Sequence, residues 1–373
     1  MNNISDWDIL VQNHLAMKKI ISKLLLLGGF ALLFAGALFL SSCEGPAGAD
    51  GADGADGIDG IDGVDGTDGT NGVAGNAVCL ECHTTAVKTV VTTQWAASLH
   101  GTSQTFYPGS PTTVQYAGGR NDCAKCHSHE GFVETVWTGL DTTAVDIPIP
   151  QAVRCKTCHD FHSSLDFENE PNSAIRQTMA VELLAGGETV EFANVESNLC
   201  MNCHQARTSP ADDSDGAALV EVGEHYGPHH GPQANFINGY GGYEFGATLS
   251  TSGTHESGSD CVSCHMHAGG TDTGEHTWVA GIESCTGCHA DAVDFDINGE
   301  VTVIEGLMHD LEAALITAEM LDANGHAIEE VSYQADSVGA LWNYILLEED
   351  ASSGIHNPAY AKALLNNSIA VFN

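Results

Sequence analysis

The sequence predicts a mainly α-helical chain with extensive irregular loops and few or no β-strands, built around an interior that side chains alone do not fill. Three observations carry this expectation. Hydrophobic residues reach 43%, yet aromatics are only 7% of 373 residues and glycine occurs 42 times, an unusual balance for a large globular chain. Twelve of the thirteen cysteines fall in six copies of one short motif. Apolar residues recur at helical spacing only towards the C-terminus, and the unequal distances between motifs argue against a tandem repeat.

Residues 1–42 read as an export signal. Lys18, Lys19 and Lys23 precede an apolar run from Leu24 to Leu40 that ends Leu40-Ser41-Ser42-Cys43, the order of charged, apolar and small-residue regions of a cleaved leader. The ending resembles a bacterial lipobox, which implies cleavage before Cys43 and lipidation of that cysteine. Met17 is the better start, so residues 1–16 are set apart from the fold. Cleavage would remove three lysines and two aspartates (Asp6, Asp8), leaving 8 basic against 48 acidic residues, a net charge of −40. Such a chain repels phosphate backbones and anionic head groups, which excludes nucleic-acid binding and polybasic membrane docking.

Residues 43–75 form an acidic stalk. Glycine stands at every third position from Gly45 for ten triplets, and Asp50, Asp53, Asp56, Asp59, Asp62, Asp65 and Asp68 close seven of them. Strict period three is the pattern of a collagen triple helix, which would make a trimer reaching roughly 90 Å. One proline and seven like charges per strand favour a flexible spacer instead.

The motif-bearing region spans 76–290. Its motifs are Cys79-Leu-Glu-Cys82-His83, Cys123-Ala-Lys-Cys126-His127, Cys155-Lys-Thr-Cys158-His159, Cys200-Met-Asn-Cys203-His204, Cys261-Val-Ser-Cys264-His265 and Cys285-Thr-Gly-Cys288-His289. Cys-x-x-Cys-His is the attachment signature of c-type haem: the two thiols form thioethers with the porphyrin and the adjacent imidazole is the proximal iron ligand. Zinc or disulfides would use the cysteines but give no reason for a histidine after every pair. Six covalent haems, about 50 residues of chain for each, would supply the apolar surface that the aromatics do not.

Twelve histidines remain as candidates for six distal positions. The segments around them resemble those of multihaem c-type cytochromes, the class that includes haem-rich nitrite and tetrathionate reductases and outer-membrane electron carriers. These segments are Trp95-Ala-Ala-Ser98-Leu-His100, Cys158-His159-Asp160-Phe161-His162, Tyr226-Gly-Pro228-His229-His230-Gly231-Pro-Gln233 with Gly241-Gly242-Tyr243-Glu244, Ser252-Gly253-Thr254-His255, Gly274-Glu275-His276-Thr277 and Gly354-Ile355-His356-Asn357-Pro358. The resemblance implies distal ligands His100, His162, one of His229 and His230, His255, His276 and His356. His162 lies on the same side of its porphyrin as His159, so it is expected at a different haem. His129 and His267 could act in the same way, or bond to propionates at the surface.

Residues 291–373 read as a C-terminal helical segment that packs on the haems and delivers His356. Helices are expected near Leu307–Asp322, over 336–349 and over 358–371, the last with Pro358 at its start. Before them, Asp294-Phe-Asp296-Ile-Asn298-Gly299-Glu300 with Glu305 satisfies the calcium-loop pattern Asp-x-Asp-x-Asn-Gly-x5-Glu, so a Ca²⁺ site on Asp294, Asp296, Asn298, Glu300 and Glu305 is one expectation. A haem-flanking turn with no metal is the other.

The function expected is electron transfer by an exported protein, lipid-anchored to the outer membrane at its periplasmic face or on the cell surface, that exchanges electrons with redox proteins or an extracellular acceptor. With two histidines on each iron it would be a carrier and not an enzyme. Two alternatives stand beside it. A reductase of nitrogen or sulfur oxyanions would need an open haem and positive charge, whereas every motif ends in His and few cations exist. The surplus of histidines also allows a polymer subunit, in which one chain supplies a distal His to the next, as in hexahaem cytochromes that form filaments.

Overall fold

The computed structural model of the chain describes residues 79–80, 83–102, 111–162, 174–211, 219–247, 249, 254–268 and 273–373. All belong to one compact unit, Gly72–Asn373. The export signal, Cys43, the Gly-x-Asp stalk and Cys82 lie outside the described residues. No described helix is long and apolar enough to cross a membrane.

The fold is mostly helical, with irregular connections and, among the described residues, four short strands. The helices are α1 (Thr85–Ala97), α2 (Leu99–Thr102), α3 (Thr113–Tyr116), α4 (Ala124–His127), α5 (His129–Thr138), α6 (Cys155–Cys158), α7 (Asn198–Met201), α8 (Gln233–Ile237), α9 (Thr254–Gly258), α10 (Cys261–His265), α11 (Glu300–Thr317), α12 (Ala335–Asp350) and α13 (Pro358–Ala370). Strand β1 (Val181–Glu182) pairs antiparallel with β2 (Thr189–Val190). Strand β3 (Leu219–Val222) pairs antiparallel with β4 (Val331–Gln334), Leu219 opposite Gln334 and Val222 opposite Val331. That second ladder ties the middle of the chain to the start of α12.

Burial divides unevenly. The larger apolar cluster joins Ile304, Leu311 and Leu315 of α11, Val338, Leu341 and Trp342 of α12, and Tyr360, Leu364 and Leu365 of α13 to Val222 and Phe236. A smaller one gathers Val181, Leu183, Val190, Phe192, Met201, Ala234 and Ile237. The motif region contributes little else to either cluster, which leaves the larger part of the apolar burial to the C-terminal helices.

Polar bonds lock the segment 241–244 onto those helices. Asn343 accepts from the Tyr243 amide at 2.7 Å and donates to its carbonyl at 2.9 Å, Trp342 Nε1 donates to the Gly241 carbonyl at 2.7 Å, and Tyr360 Oη accepts from the Gly242 amide at 3.1 Å. Glycine is required at 242, because a Cβ there would stand 2.6 Å from the Leu364 methyls.

Helices α12 and α13 match their expected spans within one residue, and Asn357 caps α13 from just before Pro358. Helix α11 differs. It begins at Glu300, seven residues before the expected start, and ends at Thr317. Gly299 takes the left-handed conformation at its N-cap, and Asp296 accepts from both the amide (3.1 Å) and the hydroxyl of Thr302. The oxygen-bearing residues read as a calcium loop therefore start the helix.

Candidate haem-binding site

The second to sixth motifs each make one helical turn. The amide of the motif histidine donates to the carbonyl of the first cysteine at 3.2 Å for His127, 2.8 Å for His159, 3.0 Å for His204 and 2.8 Å for His289. Positions i, i+3 and i+4 share one helical face, so this turn points two thiols and an imidazole into the same space. No disulfide joins any of the ten cysteines from Cys123 onward.

Across that space every motif histidine meets a second imidazole. Ring centres are 6.2 Å apart for His83 and His162, 6.0 Å for His127 and His229, 6.2 Å for His159 and His276, and 6.1 Å for His204 and His100. His265 faces His356 at 6.2 Å, and His289 faces His255 at 6.4 Å. An imidazole bound at about 2 Å has its centre roughly 3 Å from the metal, so two rings on opposite faces of one iron stand roughly 6 Å apart. The pairs fit a metal-centred group between them.

Burial favours the neutral form of several of these rings, the form that has a lone pair to offer. It pushes His100 down to about 4, aided by the nearby His204, and His229 down to about 4, aided by His230. It also lowers His204, His265 and His276. Two of the rings leave a buried nitrogen with no hydrogen-bond partner, Nε2 of His229 and Nδ1 of His276. An unpartnered buried nitrogen is costly unless a ligand takes its lone pair, a second point at which the residues fit an axial metal.

In four other rings Nδ1 is fixed by an acceptor, which leaves Nε2 to point across the pair. His265 Nδ1 donates to the Trp278 carbonyl at 2.9 Å, His255 Nδ1 to the Ile355 carbonyl at 2.6 Å, His204 Nδ1 to Gln233 Oε1 at 3.2 Å, and His356 Nδ1 to Asp350 Oδ1 at 2.7 Å. For His356 burial disfavours the charge, but the attraction and hydrogen bond of Asp350 outweigh it and raise the pKa.

The structure separates the adjacent pair His229 and His230. His229 sits at a positive φ of 70°, which turns its ring towards His127, while His230 Nδ1 bonds to Glu349 Oε2 at 2.7 Å. His162 faces His83 of a different motif, as the same-side argument requires. His129 Nδ1 lies 2.9 Å from Thr157 Oγ1 and His267 is exposed. Neither joins a pair.

The motifs abut one another. The thiol of Cys126 lies beside that of Cys203, and the thiol of Cys200 beside that of Cys261. Cys126 Sγ reaches the Asn202 carbonyl at 3.9 Å and Cys203 Sγ the Lys125 carbonyl at 3.7 Å. Ser197 Oγ, just before the fourth motif, donates to Asp260 Oδ1 at 2.6 Å and accepts from the Val262 amide of the fifth at 3.0 Å. The fourth motif thus touches both the second and the fifth.

Trp278 joins three pairs and carries no sequence signal for that role. Its ring packs edge-on to His100 at 4.6 Å and His276 at 5.5 Å, and its carbonyl holds His265. It occupies a left-handed backbone conformation with φ 56°, a strain that bulky residues adopt only where their surroundings enforce it. Helix α1 is braced against the same region. Trp95 Nε1 donates to the Val153 carbonyl at 3.0 Å and Gln94 Nε2 to Glu275 at 2.9 Å, which sets His100 at the helix end.

The calcium-loop residues are not gathered round a point. Asp294 accepts from the Asp296 amide, Asp296 caps α11, Glu300 pairs with Lys362 and Glu305 accepts from Ser353. No group of three or more His, Cys, Asp or Glu side chains is placed to hold a bare metal ion among the described residues.

No protein-family model matches the chain, and no curated protein does. Among solved structures it is similar to the outer cell wall cytochrome OcwA, with a TM-score of 0.48 and 20% identity over 76% of this chain and 50% of that one. It is also similar to the undecaheme cytochrome from the S-layer of Carboxydothermus ferrireducens, with a TM-score of 0.38 and 19% identity over 78% of this chain and 37% of that one. The chain spans half or less of the length of these two proteins.

Proposed function

We propose that this chain is an electron carrier that binds six haems covalently and passes electrons among them. The observation that carries the reading is the set of six imidazole pairs, each joining a Cys-x-x-Cys-His histidine to a ring from elsewhere in the chain. Cys79, Cys82, Cys123, Cys126, Cys155, Cys158, Cys200, Cys203, Cys261, Cys264, Cys285 and Cys288 would hold the porphyrins through thioethers. Haem bound there supplies an iron that alternates between the ferric and ferrous states.

The chain's own residues account for the rest. The paired imidazoles would hold each haem iron between them, leaving no open position for substrate and favouring simple electron exchange over catalysis. The oxygens at Nδ1 of His204, His255, His265 and His356 fix the tautomer and orientation of those four rings. Contacts between the second, fourth and fifth motifs keep neighbouring sites close, as electron transfer requires. An oxyanion reductase would need a motif histidine with no opposite ring, whereas each motif histidine here faces one. All six opposing rings come from the same chain, so no neighbouring subunit is needed to complete a site.

Location rests on the sequence alone. Lipidation at Cys43 and the acidic stalk would hold the domain away from an outer-membrane or cell-surface anchor. A net charge of −40, made more negative by haem propionates, suits basic redox proteins, cations or positively charged mineral surfaces as partners. A haemochrome assay on the purified mature protein tests the reading. It predicts six haems per chain and no carbon monoxide complex on reduction; fewer haems, or a spectral change in one haem of six, would overturn the pure carrier.

A further inference from the structure

The immediate surroundings of the paired rings are not equivalent. The Nδ1 partners of His204, His255 and His265 are neutral oxygens of an amide side chain or the backbone. That of His356 is a carboxylate. The Asp350 side chain is 1% exposed and lies at the end of α12, where water cannot screen it. Its second oxygen accepts a short hydrogen bond from Ser352 Oγ, and that same hydroxyl accepts from the His356 amide at 3.3 Å.

The turn also reaches the neighbouring pair. Gln233 Nε2 donates to the backbone carbonyls of Asp350 (3.1 Å) and Glu349 (3.3 Å), which fixes the amide so that its oxygen faces His204 Nδ1. One rigid turn therefore offers a carboxylate to His356 and, through Gln233, an amide oxygen to His204.

We propose that Asp350 is a positioning residue that ranks two adjoining iron sites, holding the His265–His356 site at a lower reduction potential than the His100–His204 site. A carboxylate accepting the Nδ1 proton makes the imidazole a stronger donor at Nε2, and a stronger donor stabilises the ferric over the ferrous state. An amide oxygen does so less. One electron passing from the first site to the second oxidises one iron and reduces the other, with no bond made or broken and no proton moved. The ranking gives the electron a preferred direction at the junction of the fourth and fifth motifs. It rests on the proposed haem ligation.

The test is a potentiometric titration of the full holoprotein, followed by visible absorption and electron paramagnetic resonance, for the unsubstituted chain, Asp350→Asn, Glu349→Gln and Ser352→Ala. Haem content is measured for each, and six haems in the unsubstituted chain checks the ligation reading separately. Asp350→Asn is expected to move one of the six transitions to higher potential and to alter one low-spin signal, whereas Glu349→Gln, which removes a nearby charge that touches His230 instead, leaves that transition in place. Ser352→Ala leaves the carboxylate but withdraws a donor from it, so the same transition moves to lower potential; this arm decides the matter if Asp350→Asn assembles poorly. A six-haem Asp350→Asn protein with an unchanged titration, an equal shift in Glu349→Gln, or no movement in Ser352→Ala would overturn the proposal.

Discussion

His229 lies 6.0 Å from His127, ring centre to ring centre, while its neighbour His230 turns away to bond Glu349. Two adjacent histidines thus have different tasks, and the positive φ at His229 is what parts them. His229→Ala is expected to convert one of six haems to a high-spin, five-coordinate form that binds carbon monoxide. His230→Ala is expected to leave all six low-spin. Absorption spectra of the reduced proteins with and without carbon monoxide distinguish the two, and a high-spin signal from His230→Ala would reverse the assignment.

Trp278 touches His100 and His276 with its ring but holds His265 through its carbonyl. Trp278→Ala therefore removes packing from two pairs and keeps the third hydrogen bond. Low-spin resonance signals of two haems are expected to shift; a change in one alone would mean that the ring does not bridge them.

Leu364 is fully buried in the larger cluster against Gly242 and the neighbouring helices. Leu364→Ala should cost about 2–5 kcal/mol of stability through lost burial and an incompletely closed cavity. Denaturant unfolding measures the loss, with the haem spectrum of the folded protein unchanged. A spectral change would show that this cluster shapes the haem sites directly.

Asp296 is held below the ordinary carboxylate range by its bonds to Thr302, first to the side chain and then to the backbone. A carboxyl whose pKa is depressed on folding stabilises above its unfolded value and loses that effect as pH falls through the folded one. Asp296→Asn is expected to lower the melting temperature at neutral pH, with the difference from the unsubstituted chain shrinking on acidification. Added calcium is expected to leave the melting temperature unchanged. A calcium-dependent rise would restore the ion-binding reading of the loop.

What the sequence makes legible follows from how local each feature is. Thioether attachment needs two thiols and an imidazole within one helical turn, so Cys200, Cys203 and His204 must stand together in the sequence as well as in space. Helices α12 and α13 have apolar stripes and a Pro358 start signal, and both lie where those signals put them. The partner of each motif histidine is a different matter. His265 meets His356 only because Ala351, Ser353 and Gly354 turn the chain sharply between two helices, and no spacing encodes that meeting. Asp350 is one carboxylate among 50 acidic residues, and neither Gln233 nor Trp278 belongs to a motif that names its role. The residues before α11 read two ways for a physical reason: helix caps and calcium loops both set oxygen-bearing side chains beside glycine at alternate positions.

The central claim is that six irons each take two histidines from this chain. Low-temperature electron paramagnetic resonance with near-infrared magnetic circular dichroism on the oxidised mature protein tests it most directly. The account predicts six low-spin haems per chain, all with the charge-transfer signature of two imidazoles and none high-spin. A high-spin ferric haem, or a site with any axial partner other than histidine, would contradict it.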